Sequence, residues 1–207
     1  MPTDDVCHPV VSTGYDAIML PAEKLLGFGR QRQRTVADAK GRVLELGAGT
    51  GLNLPHYPPI DELVAVEPDP YMRRRAATRI RSVDPGFPVE LVPAVAEDLP
   101  FPDDAFDTVV VCLVLCTVRE PRRALEEARR VVSPEGQLLV LEHVRSPRPA
   151  VTWLQHAVTP VWRNIAGGCH LDRQTVATAE AAGFRFEHLW RSRDGRGTMI
   201  QGRATPA

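Results

Sequence analysis

The chain has 207 residues, 43% of them apolar and 25% charged, which is the make-up of one ordinary globular domain rather than of a disordered or fibrous chain. With 25 basic and 26 acidic residues the formal net charge is −1, so there is no basic surplus for a nucleic-acid backbone and nucleic-acid substrates are not expected. The cysteines Cys7, Cys112, Cys116 and Cys169 are too sparse for a disulfide scaffold, and the C-x3-C spacing of two of them suits zinc poorly, so free thiols and no metal are expected.

The N-terminus "MPTDDVCHPV" has two acids and no apolar core, unlike a signal peptide. The longest apolar runs, such as "TVVVCLVLCTV", are about half the ~20 residues of a membrane span, so the expectation is a cytoplasmic protein. Residues 13–39 carry apolar residues at helical spacing, with Pro21 and Gly27/Gly29 breaking the pattern into pieces: a helical preamble.

From Arg42 the pattern changes. "RVLEL" is a strand that runs into the glycines Gly47, Gly49 and Gly51, and the prolines of "LNLPHYPP" end the following helix early. "ELVAVE" (62–67) is a second strand, followed by a helix with Asp69 as N-cap and Pro70 in its first turn. "PVELVPA" (88–94), "FDTVVVCLVL" (106–115) and "QLLVLEHV" (137–144) are three more strands, and their continuous apolar runs mark strands buried on both faces. Helices are expected in "EPRRALEEARRVV", "AVTWLQHAVTPVW" and "DRQTVATAEAAG". "FRFEHLW" and "TMIQGRA", joined by an Asp-Gly turn, close the chain as a hairpin. Alternating strands and helices imply a parallel α/β sheet.

The glycine loop sits at the carboxyl end of the first strand, where open α/β sheets bind ligands. Its G-x-G-x-G spacing is neither the G-x-G-x-x-G of dinucleotide sites nor a P-loop. Glu45, two residues ahead of Gly47, would repel a pyrophosphate but suits a cationic ligand; Glu67, at the end of the second strand, can accept both hydrogen bonds of a ribose diol. A phosphate-free nucleoside with an ammonium and a sulfonium fits: S-adenosyl-L-methionine. A tight turn and a solvated glutamate are the bland alternatives, and the conjunction argues against them.

On these residues the chain resembles the class I S-adenosylmethionine-dependent methyltransferases. "VLELGAGTG", "VAVEPD", "AEDLPFPDDAFD" and "ARRVVSPEGQLLVLEH" are similar to their successive motifs, and the likeness covers roughly residues 41–207. It implies a Rossmann-like fold: a seven-stranded, mostly parallel sheet with a C-terminal antiparallel hairpin, and residues 1–40 as an N-terminal helical cap. It also implies cofactor contacts from Glu45, Gly47, Gly49, Gly51, Asn53, Glu67 and Pro68, with Ala96, Glu97 and Asp98 near the adenine and the Cys112 carbonyl near the methionine ammonium. Where many relatives have Asp, this chain has Val95. "LVLCTV", "EHV", "WLQHAVTPVW" and "GGCHLDR" resemble, more narrowly, the alkyl-thiol methyltransferases of the methyltransferase-like group.

The expected reaction is an in-line methyl transfer to a small acceptor, a thiol or sulfide by the narrower resemblance. N-methylation of an amine or phospholipid head group, and cofactor binding without catalysis, are the alternatives. His143, ending the fifth strand, is read as a base or acceptor-positioning residue, or else as a structural histidine. Tyr15, Cys116, Trp153, Cys169 and His170 are candidates for the acceptor pocket. Each has a plain structural alternative: Tyr15 in a helix on the sheet edge, Cys116 as core filler sharing a strand face with Cys112 and Val114, Cys169 and His170 in a glycine turn, and one of Trp153 and Trp162 in the core.

Overall fold

The computed structural model describes residues 27–165, 168–192, 194 and 196–207. Tyr15, Cys7 and most of the helical preamble lie outside them.

Seven strands form one sheet in the order β3-β2-β1-β4-β5-β7-β6. They are β1 (Arg42–Leu46), β2 (Glu62–Val66), β3 (Val89–Val92), β4 (Phe106–Cys112), β5 (Val132–His143), β6 (Phe184–Arg191) and β7 (Met199–Pro206). The first five run parallel, and β7 pairs antiparallel with both β5 and β6. The expected class I methyltransferase sheet with its closing hairpin is therefore present. Order reverses between β1 and β4, which opens a crevice at their carboxyl ends.

Alternate residues of the central strands feed two cores. Leu44, Val64, Val109, Val111 and Val140 face α3 (Pro121–Val131), where Ala124, Leu125, Ala128 and Val131 are fully buried at helical spacing. Val43, Leu63, Val110 and Leu139 face the other way, toward α1 (Phe28–Val36) and α2 (Pro70–Val83). The cap on α2 is as expected: the Asp69 carboxylate accepts the N–H of Tyr71 at 2.7 Å and of Met72 at 3.2 Å.

The structure corrects several boundaries. Gly29 does not break α1, whose N-cap is Gly27 with φ 75°. The edge strand β3 is shorter than 88–94. β5 begins at Val132, with an irregularity between the pairs Phe106↔Val132 and Thr108↔Gln137. β4 ends at Cys112, because Leu113 turns into the left-handed region with φ 60°. Cys116 therefore lies in a loop and shares no strand face with Cys112 and Val114.

Two more helices complete the chain, α4 (Pro149–Ile165) and α5 (Thr175–Ala181). Among the described side chains, neither core draws an apolar one from α4.

Candidate active site

The crevice between β1 and β4 is lined by the glycine loop together with Arg32, Glu45, Leu52, Cys112 and Leu113. Gly47, with φ 61°, is packed so tightly that an added Cβ would meet a Val114 methyl at 2.6 Å. Gly49 differs: its nearest neighbour would be the Gly47 carbonyl oxygen at 4.0 Å, so its face is open to a ligand.

Glu67 holds this loop. Its Oε2 accepts the Gly49 N–H at 2.8 Å and its Oε1 the Asp69 N–H at 2.9 Å. Burial pushes its pKa up, against these two backbone hydrogen bonds. Each oxygen keeps a second lone pair, so the carboxylate can still accept from a diol.

Glu45 is buried on β1 and accepts hydrogen bonds from Asn53 Nδ2 at 2.7 Å and from the Tyr57 hydroxyl at 2.9 Å. Asn53 in turn accepts from the Arg32 guanidinium at 2.9 Å. Burial raises the Glu45 pKa to about 7 even though both hydrogen bonds and Arg32 oppose the shift. Arg32 and Tyr57 were not among the residues expected from the sequence. A signal existed for Arg32: it shares the buried face of α1 with Thr35 and Val36 at i, i+3, i+4 spacing.

The crevice thus sets a guanidinium beside a carboxylate, a pair that complements the carboxylate and ammonium of an amino-acid ligand. A second carboxylate, Glu67, stands at the end of β2 against the glycine loop, and no lysine lines the described crevice for a phosphate chain. This donor set fits S-adenosylmethionine and suits a dinucleotide badly.

Comparison with known proteins agrees. Residues 44–140 match the model of the methyltransferase domain. The chain is 37% identical over 171 residues to the thiol S-methyltransferase TMT1B of Rattus norvegicus, covering 78% of this chain and 69% of that protein. The chain belongs to the S-adenosylmethionine-dependent methyltransferases. Its cofactor is S-adenosyl-L-methionine. It is also 36% identical over 115 residues to a phosphatidylethanolamine N-methyltransferase of Cereibacter sphaeroides, covering 54% of this chain and 57% of the other. A SAM-dependent methyltransferase structure from Thermotoga maritima superposes with a TM-score of 0.69 at 20% identity, over 95% of this chain and 97% of that one.

The residues of this methyltransferase expected near the adenine divide. Ala96 is buried in the core. Glu97 accepts the N–H of Arg119 at 2.9 Å and of Glu120 at 3.3 Å, so its carboxylate serves the entry to α3. Asp98 is exposed, and Pro68 offers its carbonyl to Arg73 at 2.6 Å.

The structure brings together three of the residues singled out from the sequence. The Cys169 thiol lies close enough to Cys116, His143 and Trp162 for each to act on its ionisation. The backbone supports this contact: His170 N donates to the Cys116 carbonyl at 2.7 Å, and the Arg173 guanidinium bonds the Leu115 carbonyl. His170 itself turns its ring toward Arg173, with Nδ1 3.3 Å from the guanidinium. The neighbouring Cys116 thiol and His143 lower the Cys169 pKa, while the proximity of Cys169 and burial raise that of Cys116. Burial pushes the Cys112 thiol up to about 12.

Trp153 does not join the pocket; it is 72% exposed, and Trp162 is the tryptophan of α4 that meets Cys169. Glu142 went unpredicted. It is fully buried, its Oε1 accepts the N–H of Val114 at 2.6 Å and of Leu115 at 2.8 Å, and its Oε2 has no partner. It therefore shapes the loop that carries Cys116. An acid inside an apolar strand buried on both faces was the signal for it. Among the described residues no group of three metal-ligating side chains is present.

Proposed function

We propose that this methyltransferase transfers a methyl group to the sulfur of a small thiol. The observation that carries the reading is the similarity to a thiol S-methyltransferase over 171 residues, a stretch longer than the domain match at 44–140. The acceptor side of the cleft supports it, because His143 offers a candidate base beside Cys169 and a thiol needs little help. With a pKa near ~8.5 it is already partly thiolate at neutral pH.

In this reading Arg32 pairs with the carboxylate of the cofactor's amino-acid end and Glu45 faces its amino group. Gly47 and Gly49 let the backbone approach, Glu67 holds the ribose, and the Cys112 carbonyl accepts from the ammonium. α1, the described part of the cap expected over residues 1–40, supplies Arg32. The bound cofactor supplies an electrophilic methyl on a sulfonium. His143 orients the acceptor and takes its thiol proton as the new carbon–sulfur bond forms and the sulfonium carbon–sulfur bond breaks. Cys116, Cys169 and His170 wall the acceptor pocket.

Labelled cofactor offered with panels of thiols, amines and phenols tests the reading. Methylated thiols are expected, and label confined to amines would defeat it. One observation favours the amine of a lipid head group as the second reading: the exposed apolar residues of α4.

A further inference from the structure

Two cysteines far apart in the sequence are brought side by side by backbone hydrogen bonds. The loop after Leu113 carries Cys116, and the buried Glu142 carboxylate fixes it by accepting the N–H of Val114 at 2.6 Å and of Leu115 at 2.8 Å. The segment after α4 carries Cys169, and Gln155 clips that segment by donating to the Leu171 carbonyl at 2.7 Å. Hydrogen bonds then join the two: His170 N donates to the Cys116 carbonyl at 2.7 Å, and the Arg173 guanidinium donates to the Leu115 carbonyl. The Cys116 and Cys169 thiols are both free and near enough to act on each other's ionisation. Cys112 stays apart, at the end of β4 in the crevice with Glu45 and Arg32.

Core filling accounts for a single buried thiol. It does not account for two neighbouring thiols in unequal surroundings. Cys169 is 8% exposed and has His143 and Trp162 beside it, whereas Cys116 is 2% exposed. Cys116 and His143 hold the Cys169 pKa down, which makes Cys169 the attacking thiol. Cys116 is the more deeply buried partner, and Arg173 favours its thiolate. An attacking thiolate backed by a second thiol is the arrangement that thiol–disulfide exchange requires.

We infer that Cys116 and Cys169 are a redox-active pair that reduces a small organic disulfide and closes into a disulfide of its own. The Cys169 sulfur attacks R–S–S–R, forming Cys169–S–S–R and releasing RS−, which takes up the Cys169 proton. The Cys116 sulfur then attacks the Cys169 sulfur, forming the Cys116–Cys169 bond and releasing the second RS−, which takes up the Cys116 proton. Two electrons pass from the pair to the small disulfide, and two thiols leave. The choice of a small disulfide rests on the thiol reading of the acceptor, because a thiol oxidises to a disulfide. The pairing of the two cysteines rests on the two loops alone.

Incubation of the reduced, desalted full chain with hydroxyethyl disulfide at neutral pH tests it. Mass spectrometry of an unreduced digest should find the Cys116 peptide joined to the Cys169 peptide, and dithiothreitol should reverse the bond. Cys116→Ser should stop at a hydroxyethyl adduct on Cys169, and Cys169→Ser should release mercaptoethanol at least about tenfold more slowly than the parent. Cys7→Ser should react as the parent does. Circular dichroism matching the parent's shows that each variant folds. No reaction, an adduct that persists on Cys169 of the parent, or a bond through Cys7 or Cys112 would overturn the inference. Labelled cofactor in parallel separates the two readings: thiols left unlabelled while the Cys116–Cys169 bond still forms would defeat the thiol acceptor and leave the pair standing.

Discussion

The Glu67 carboxylate accepts the Gly49 backbone N–H at 2.8 Å, tying the end of β2 to the glycine loop that follows β1. One side chain therefore shapes the loop and, in the proposed reading, also holds the ribose. Glu67→Ala should lower affinity for S-adenosylhomocysteine by on the order of 10–100-fold, since hydrogen bonds to a charged acceptor are worth ~1.5–3 kcal/mol. Glu67→Gln should fall between the two. Calorimetry checks both, with NAD as the control ligand that the parent should not bind.

Arg32 reaches the same cleft from α1, through Asn53. Arg32→Ala should cost about tenfold or more in cofactor affinity, and Arg32→Lys should recover only part of it because the planar fork is lost. Affinity unchanged in Arg32→Ala would remove α1 from the cofactor site.

Glu45 and Glu142 are both pushed up to about 7 by burial. Between their unfolded value near ~4.5 and about 7, the folded chain holds protons that the unfolded chain has released. Their contribution to stability is therefore full below about pH 4.5 and is lost as pH rises to about 7. Glu142→Gln should flatten the fall in melting temperature across that window, measured as a difference from the parent. Cofactor binding has its own signature, because an ammonium near Glu45 favours the ionised form. Calorimetry near pH 6 in buffers of different ionisation enthalpy should show proton release, absent in Glu45→Gln.

Cys169 is the described thiol whose pKa is lowered, while Cys112 and Cys116 are raised. A small methanethiosulfonate reagent should therefore modify Cys169 ahead of the other two at neutral pH, slowly because the residue is buried. Mass spectrometry across pH should show its rate levelling off earliest. Cys116→Ala removes the neighbouring thiol that holds the Cys169 pKa down and should move that plateau to higher pH.

Much of this was legible without coordinates, since strands, capped helices and turns follow from local patterning. Continuous apolar runs announced parallel strands, Asp69 and Pro70 announced a helix start, and an Asp-Gly turn announced the hairpin. The spacing of the three glycines with Glu45 and Glu67 pointed to the cofactor, because the strand ends that carry them are set by the same patterns.

What the tertiary structure decided is who meets whom. Placing β4 between β1 and β5 put Glu142 beneath the loop after Cys112, and the left-handed Leu113 lifted Cys116 off the strand toward Cys169. A period-two pattern carries no sign of that turn, because the buried hydrogen bonds that sustain it come from a residue 28 positions away. Arg32 entered the cleft, and Trp153 left the pocket, for the same reason. Helical spacing defines a face, but only the packing of the helix on the sheet decides which way that face looks.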